Sequence, residues 1–120
     1  SNFDVKELER ARKVANIVSV QNQYNLGDRS SEPVLQACER LGLAFLPWYP
    51  LGAGSALRLS KIKTIAEKRK ATPAQVALAW LLARSPVVLP IPGTASLAHL
   101  EENVKAASLS LGADDLALLG

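Results

Sequence analysis

The clearest pattern in the chain lies at residues 71–91, which read ATPAQVALAWLLARSPVVLPI. The start, Thr72-Pro73-Ala74-Gln75, combines a capping hydroxyl, a proline in the first turn and a glutamine three residues after the cap, which is typical of a helix N-terminus. Apolar residues continue this helix as far as Ser85-Pro86. Residues 87–91 then form a short apolar run that predicts a strand. The stretch is therefore predicted to be a helix that leads directly into a strand.

Helix and strand signals alternate along the rest of the chain. Asp4 and Glu7 have the spacing of a capping box, and Gly42 lies where a helix capped by Ser30 or Ser31 would stop. A final short helix can be capped by Asp114 or Asp115. The predicted order is a helix at 5–15, a strand at 17–20, a helix up to 42, a strand at 43–46, a basic helix within 58–70, and the helix and strand of 71–91. A further helix begins at Ser96, and its inward face is predicted to carry Leu97, Leu100, Val104 and Ala107.

This alternation predicts the α/β class. The strands are continuous apolar runs, which is typical of a parallel sheet covered by helices on both faces, with right-handed crossovers. A chain of 120 residues with 48% hydrophobic and 21% charged residues fits one small domain and excludes a largely disordered segment. The longest stretch without a charge, 41–57, is too short for a membrane span and is interrupted by prolines and glycines. We therefore predict no membrane partner.

Charge and cysteine content exclude further classes. Cys38 is the only cysteine, so an internal disulfide and a cysteine-rich metal site are excluded, and a reducing, cytoplasmic setting is expected. We interpret Cys38 as a core residue on the stripe formed with Val34 and Leu41. The net charge of +3 comes from a basic run at 58–70, which is interpreted as a solvated helix face around Ile62, Ile65 and Ala66. It lacks interleaved aromatic residues, so we predict no nucleic-acid partner.

Polar and aromatic groups follow each predicted strand. In parallel α/β folds, ligands bind beyond the carboxyl ends of the strands. These ends carry amides at 21–25, an indole and a phenol at 48–49, and glycine with threonine at 93–94. Such groups can hydrogen-bond to, or stack on, a planar ring. The only histidine is His99, and no carboxylate pair or serine, histidine and aspartate set is visible, so the strand ends predict recognition rather than proton transfer.

Five motifs together resemble the aldo-keto reductases. The resemblance extends essentially from end to end and implies the C-terminal half of that family's (β/α)8 TIM barrel. Ser1-Asn2 would then be the end of the fifth strand, and the three predicted strands would be the sixth, seventh and eighth. The motifs are Ser1-Asn2-Phe3, VQNQYNL at 20–26, PWYPLG at 47–52, ATPAQVALAWLL at 71–82, and PIPGT at 90–94 with HLEEN at 99–103.

The resemblance implies a cofactor, NADP with NAD as an alternative. Ser1, Asn2 and Gln21 would hydrogen-bond the nicotinamide carboxamide, and Trp48 would stack on the nicotinamide ring, although it could instead be a rim residue at the barrel mouth. Phosphates would meet backbone N–H groups of the loop at 52–54. The other residues implied are Tyr49, Pro50, Leu51 and Gly52 on the pyrophosphate side, Gly93, Thr94, Ser96 and His99 around the adenosine ribose and any 2′-phosphate, and Glu102 and Asn103 at the adenine.

Two positions depart from the family pattern. Gly93 and His99 stand where many relatives have lysine and arginine for the 2′-phosphate, so NADP and NAD both stay open, and His99 could be an ordinary helix-surface residue. The stretch between Gly54 and Lys61 is also short for the loop that covers the pyrophosphate in some relatives. Neither Tyr24 nor Tyr49 has a lysine or histidine partner nearby in sequence, so neither is interpreted as a general acid.

The implied function is NAD(P)H-dependent reduction of aldehydes and ketones. The family places its catalytic aspartate, tyrosine, lysine and histidine upstream of the matched motifs, so we expect no catalytic residue within 1–120. A family barrel needs about 250 residues. We therefore expect a partial barrel whose partners are an N-terminal half and a small carbonyl substrate, with open sheet edges that favour self-association. The alternative is a non-catalytic nucleotide-binding or regulatory module of the same fold.

Overall fold

The structure of the chain is a computed structural model that describes residues 1–54 and 56–120. Ser55, which belongs to the short stretch between Gly54 and Lys61, lies outside the described residues. Helices and strands alternate as predicted as far as the second strand, after which helices and short turns follow one another. Short 3-10 turns lie at Gly52–Gly54, Ala56–Arg58 and Ala106–Ser108. The elements are α1 (Val5–Arg12), β1 (Ser19–Gln23), α2 (Glu32–Leu41), β2 (Ala44–Trp48), α3 (Ser60–Arg69), α4 (Pro73–Arg84), α5 (Leu97–Lys105) and α6 (Ala113–Leu119).

The sheet is parallel, as the apolar runs predicted. β1 pairs with β2 in a register that runs from Ser19 opposite Ala44 to Gln23 opposite Trp48. The predicted third strand is reduced to a single parallel bridge between Phe45 and Val88. Two hydrogen bonds support this bridge, from the Phe45 N–H to the Val87 carbonyl and from the Leu89 N–H to the Phe45 carbonyl, both at 2.8 Å.

One face of this sheet is covered, which corrects the expectation of helices on both faces. Val20 and Asn22 of β1 are buried, whereas Ser19 and Gln21, which alternate with them, are exposed. The strand therefore alternates, and it includes polar residues that were predicted to follow it. Strand limits were placed too early, since backbone pairing continues through Gln21, Asn22 and Gln23 whatever the polarity of their side chains.

The predicted helix caps are largely confirmed. The Asp4 carboxylate accepts from the Glu7 N–H at 2.7 Å, and the Thr72 hydroxyl accepts from the Gln75 N–H at 3.2 Å. Gly42 ends α2 with a φ of 65°, a left-handed conformation that glycine adopts without steric cost. Ser31 precedes α2 as predicted, but its side chain makes no capping hydrogen bond, and the cap of α6 was predicted wrongly. Gly112 precedes α6, and Asp115 lies inside the helix, where it accepts from the Gly112 N–H at 3.2 Å.

The inward face predicted for α5 is wrong in this structure. Leu97, Leu100 and Val104 are 71%, 50% and 65% exposed, and Ala107 is exposed as well. The helix instead attaches to α4 through Glu102, whose backbone carbonyl accepts from the Gln75 side chain at 3.0 Å. The periodicity correctly indicated an apolar stripe, but the stripe is largely exposed.

The core lies between the covered sheet face and helices α2, α3 and α4. Tyr24 stacks on Trp80 at a ring-centroid distance of 5.9 Å and meets Phe45 edge-on at 5.7 Å. The Tyr24 hydroxyl donates to Glu32, and burial is the main cause that raises the pKa of this phenol. Cys38 is fully buried, and burial raises the pKa of its thiol, which confirms a core residue rather than a nucleophile. Within the described residues, no helix is long and apolar enough to span a bilayer.

The basic run is partly used to hold α6. The apolar stripe of Ile62, Ile65 and Ala66 is buried, as predicted. Lys68 and Arg69 both pair with the buried Asp115 carboxylate, so these two charges contact a partner rather than solvent alone. The hydrogen bond from Lys68 is the largest cause that lowers the pKa of Asp115 to about 2, against the opposing effect of burial.

This pairing predicts a pH-dependent stability. Because the folded pKa of Asp115 lies below the ordinary value of 3.8, its contribution is present above about pH 4 and is lost as the pH falls towards about 2. We expect Asp115→Asn to unfold at a lower urea concentration than wild type at pH 7. The difference between the two unfolding midpoints should become smaller at pH 2. The exposed neighbour Asp114 supplies the control, since Asp114→Asn should unfold at the same urea concentration as wild type at both pH values. If the unfolding midpoints of Asp115→Asn and wild type differed equally at pH 7 and pH 2, the pairing of Asp115 with Lys68 and Arg69 would be contradicted.

Candidate functional site

Asn2, Gln23 and Trp48 meet at the carboxyl ends of the two strands. The segment before α1 lies along the edge of β1, where the Asn2 N–H donates to the Gln21 carbonyl at 3.1 Å. The Asn2 side-chain oxygen accepts from the Gln23 N–H at 3.2 Å and from the Trp48 indole N–H at 2.9 Å. Although 46 residues separate them, the sheet thus brings Asn2 and Trp48 into direct contact.

Buried amides hold this arrangement in place. The Asn22 side chain is 2% exposed, accepts from the Phe3 N–H at 3.1 Å and donates to the Phe3 carbonyl at 2.8 Å. Asn25, also buried, donates to the Tyr49 carbonyl at 3.1 Å. These bonds fix the backbone on both sides of the cluster, and they explain why buried amides rather than apolar residues stand at positions 22 and 25.

Asn2 and Tyr49 have left-handed backbones. The φ angles of Asn2 and Tyr49 are 58° and 60°, a region that costs free energy for side chains other than glycine and is tolerated best by asparagine. Such conformations concentrate at ligand-binding sites, where surrounding contacts impose them. Here the contacts are those with Gln21, Gln23 and Asn25.

Beyond Trp48 the surface opens into two cavities that share three lining residues. Trp48 and Tyr49 have ring centroids 5.8 Å apart, so Tyr49 continues the row of rings towards the first cavity. The first, the loop cavity, has a volume of about 330 Å³ and is lined by Tyr49, Pro50, Leu51, Ala53, Gly54, Leu57, Ile91, Pro92 and Gly93. The second, the helix cavity, has about 220 Å³ and is lined by Leu51, Leu57, Ala74, Gly93, Thr94, His99, Glu102 and Asn103.

The helix cavity lies beside the N-terminus of α5. Ser96 caps this helix, and its hydroxyl accepts from the His99 N–H at 3.4 Å. The Thr94 hydroxyl accepts from the Ser96 N–H at 3.1 Å. Thr94 and His99 therefore line the cavity, whereas the Ser96 hydroxyl is engaged in capping and Ser96 does not contribute to the lining.

Backbone donors of the glycine-rich loop are less available than expected. The Gly52 N–H donates to the Tyr49 carbonyl and the Gly54 N–H to the Leu51 carbonyl, both at 2.9 Å. A phosphate could accept from these two groups only if the turns opened. Glu102 also has a structural contact, because the Thr72 hydroxyl donates to its carboxylate.

Most of the residues predicted from sequence are brought together. Tyr49, Pro50, Leu51, Gly93, Thr94, His99, Glu102 and Asn103 line the two adjoining cavities, and Asn2 and Trp48 stand next to them. Ser1 and the Gln21 side chain are exposed near this cluster and line neither cavity. Gly52 is buried beside the loop cavity.

Sequence reasoning missed several contributors. Leu57 lines both cavities, and Ala74 lines the helix cavity from the first turn of α4. Ordinary apolar residues carry no sequence signal for such a role. Asn25 could have been found, since it is one of the amides that follow β1, but its contact with Tyr49 depends on the loop after β2.

The described part of the chain offers recognition groups and no proton-transfer set around these cavities. Their titratable lining residues are Tyr49, His99 and Glu102. No group of histidine, cysteine, aspartate or glutamate suited to a metal occurs in residues 1–54 and 56–120. A planar ring stacked near Trp48 and an extended ligand along the two cavities would match this lining.

The family model for the aldo/keto reductase family matches residues 1–119. The chain belongs to the aldo/keto reductase family. It is 45% identical over 119 residues to pyridoxine 4-dehydrogenase of Escherichia coli and 44% identical over 120 residues to an uncharacterized oxidoreductase of Schizosaccharomyces pombe, in each case with 99% of this chain covered. It spans 42% and 39% of the length of these two relatives.

Solved structures of aldo-keto reductases share the fold. One from Klebsiella pneumoniae in complex with NADP and acetate matches with a TM-score of 0.91 and 31% identity, covering 98% of this chain and 44% of that one. A thermostable aldo-keto reductase in complex with the inhibitor epalrestat matches equally well, with 34% identity and coverage of 98% and 45%. The resemblance and the fold class predicted from sequence are thus confirmed. The parallel strands and helices are part of the TIM barrel of the aldo-keto reductases.

Proposed function

We propose that this aldo/keto reductase segment provides the NADP-binding part of an oxidoreductase that reduces aldehydes or ketones to alcohols. The main support is that eight of the fourteen predicted cofactor residues line two adjoining cavities at the carboxyl end of the sheet. Neighbouring structures of the family hold NADP or NADPH. When bound, this cofactor supplies the hydride.

The residues present suit an elongated nucleotide. Trp48 is half-buried at the end of β2 and can stack one face of a nicotinamide ring, while Asn2 and Gln21 offer amide groups to its carboxamide. The loop cavity suits the pyrophosphate region and the helix cavity suits the adenosine end. Thr94 and His99, near the α5 N-terminus, can hydrogen-bond a ribose or its 2′-phosphate, which makes NADP our proposal and leaves NAD as the comparison ligand.

The acid and base groups are proposed to come from a part of the barrel outside residues 1–120. In the described residues, the strand ends present amides and aromatic rings, and the hydroxyl of the buried Tyr24 donates to Glu32. On this proposal β1 and β2 would be the sixth and seventh strands of the barrel, and residues 87–91 would be the eighth. On this proposal the 120-residue chain binds cofactor and does not reduce carbonyls by itself, and the barrel mouth selects a small carbonyl substrate.

The exposed apolar face of α5, formed by Leu97, Leu100 and Val104, belongs to the same proposal. In the intact protein we propose that the N-terminal part of the barrel covers it, together with the open sheet edge beyond Leu89. In the isolated chain the same surfaces favour self-association. A reducing, cytoplasmic setting is also proposed, because the single cysteine is buried as a thiol.

Calorimetric titration of the intact protein with NADPH, and then with NADH, tests the function. We expect NADPH to bind in the micromolar range and more tightly than NADH, and a panel of aldehydes and ketones to oxidise the bound NADPH. Absence of binding at millimolar concentrations of both nucleotides would overturn the proposal. Binding without turnover of any carbonyl would favour the non-catalytic nucleotide-binding module instead.

A further inference from the structure

The side-chain amide of Asn2 can have only one orientation in this structure. Its oxygen accepts two hydrogen bonds, from the Trp48 indole N–H and from the Gln23 backbone N–H. Both groups are donors only. Turning the amide over would therefore place its NH2 group against two donors and lose both bonds, so the network assigns the orientation.

The consequence concerns the group that Asn2 offers to a ligand. With the oxygen occupied, the Asn2 NH2 group remains, and it has no hydrogen-bond partner among the described residues. Asn2 is exposed, so this donor is accessible at the end of the row of rings formed by Trp48 and Tyr49. A ligand placed here must present an acceptor.

We propose that Trp48 is a positioning residue for Asn2, in addition to any stacking on the cofactor, and that its indole N–H makes Asn2 a donor to the carbonyl oxygen of the nicotinamide carboxamide. This inference rests on the proposed function. Within the carboxamide, the carbonyl oxygen is the acceptor and the NH2 group is the donor. The carbonyl would face Asn2, and the NH2 group would face a different acceptor, for which the exposed Gln21 side chain is suited.

The backbone of Asn2 supports this role. Its φ of 58° lies in the left-handed region. Two hydrogen bonds to β1 hold this conformation: the Asn2 N–H donates to the Gln21 carbonyl, and the side-chain oxygen accepts from the Gln23 N–H. Asn2 is thus held by three hydrogen bonds, one through its backbone and two through its side-chain oxygen, of which the bond from Trp48 is the one that comes from β2. A phenylalanine at position 48 would keep an aromatic face and remove the bond from β2.

A double-mutant cycle in the intact protein tests the inference. Trp48→Phe should weaken NADP binding about 10-fold, a size typical of one hydrogen-bond contribution. Asn2→Gly, which tolerates the left-handed backbone, should weaken it as well. In the Asn2→Gly background, Trp48→Phe should cost about 3-fold or less, because the bond it removes is already absent.

Two further ligands separate positioning from simple packing. The 2′-phospho-ADP-ribose part of NADP lacks the nicotinamide, so it should bind wild type and Trp48→Phe within about 2-fold of each other. Thionicotinamide NADP, whose sulfur is a weaker acceptor than oxygen, should bind wild type less tightly than NADP, and this preference should shrink in Trp48→Phe.

The outcomes are distinct. An equal effect of Trp48→Phe in both backgrounds, or an unchanged preference between NADP and its thio analogue, would overturn this inference and leave the proposed function intact. Failure of the wild-type protein to bind NADP would overturn the proposed function and this inference with it.

Discussion

Trp80→Ala is expected to destabilise the protein by about 3–5 kcal/mol, the range observed when a buried aromatic side chain is truncated to alanine. Trp80 is 3% exposed at the centre of α4 and stacks on Tyr24. The substitution removes this contact and leaves a cavity that the surrounding helices can fill only partly. Since small domains have a net stability of about 5–15 kcal/mol, the loss is a large fraction of the total.

Trp80 also connects the core to the end of the chain. The Arg29 guanidinium lies 4.6 Å from the centre of the Trp80 ring, and one of its nitrogens donates to the Leu119 carbonyl at 2.9 Å. Removing the indole therefore also removes a surface on which Arg29 rests while it holds α6. A cation-π contact of this kind contributes about 0.5–1 kcal/mol when partly exposed.

Urea unfolding of the intact protein measures this effect. The control is Leu82→Ala on the same helix, where the side chain is 39% exposed and the expected cost is below about 1 kcal/mol. If the slope of the unfolding free energy against urea concentration is unchanged, both variants unfold from the same compact state. If Trp80→Ala and Leu82→Ala lost equal stability, the stacking of Tyr24 on Trp80 would not be part of the core.

Local signals in the sequence predicted local structure well. The caps at Asp4 and Thr72 and the helix end at Gly42 depend on residues within a few positions of each other, and the structure has all three. Cys38 was predicted to lie in the core, and it does, because helical periodicity is enough to define a buried stripe.

The features that could not be predicted from the sequence depend on contacts between residues far apart in the chain. Strand limits were misplaced because β1 continues through polar residues that pair by backbone, and the face of α5 was misjudged because periodicity does not say what covers a stripe. The candidate site shows the same division. Its residue types were visible at the strand ends, whereas the bond between Asn2 and Trp48 and the lining by Leu57 depend on the folded chain.

Gly93→Trp is expected to weaken NADPH binding at least about 100-fold, or about 2.7 kcal/mol, while leaving the fold unchanged. Gly93 lines both the loop cavity and the helix cavity, so a ligand that extends through the two must pass it. An indole attached there would occupy the space that the proposed pyrophosphate and ribose need.

The backbone at Gly93 makes this variant a clean test. No heavy atom lies within 4 Å of the position that a Cβ would take, and φ lies outside the left-handed region. The new side chain therefore meets neither a steric contact at its base nor backbone strain, and we expect a melting temperature close to that of wild type. A loss of affinity can then be attributed to blocked space.

Ala95→Trp provides the matched control. Ala95 lies two residues further along, is exposed and lines neither cavity, so the same indole at this position should leave the dissociation constant for NADPH within about 2-fold of wild type. Calorimetry is the suitable readout, since both variants add a fluorophore. Wild-type affinity in Gly93→Trp would show that the nucleotide does not run through these cavities, because an indole at their shared wall and an extended ligand cannot occupy the same volume.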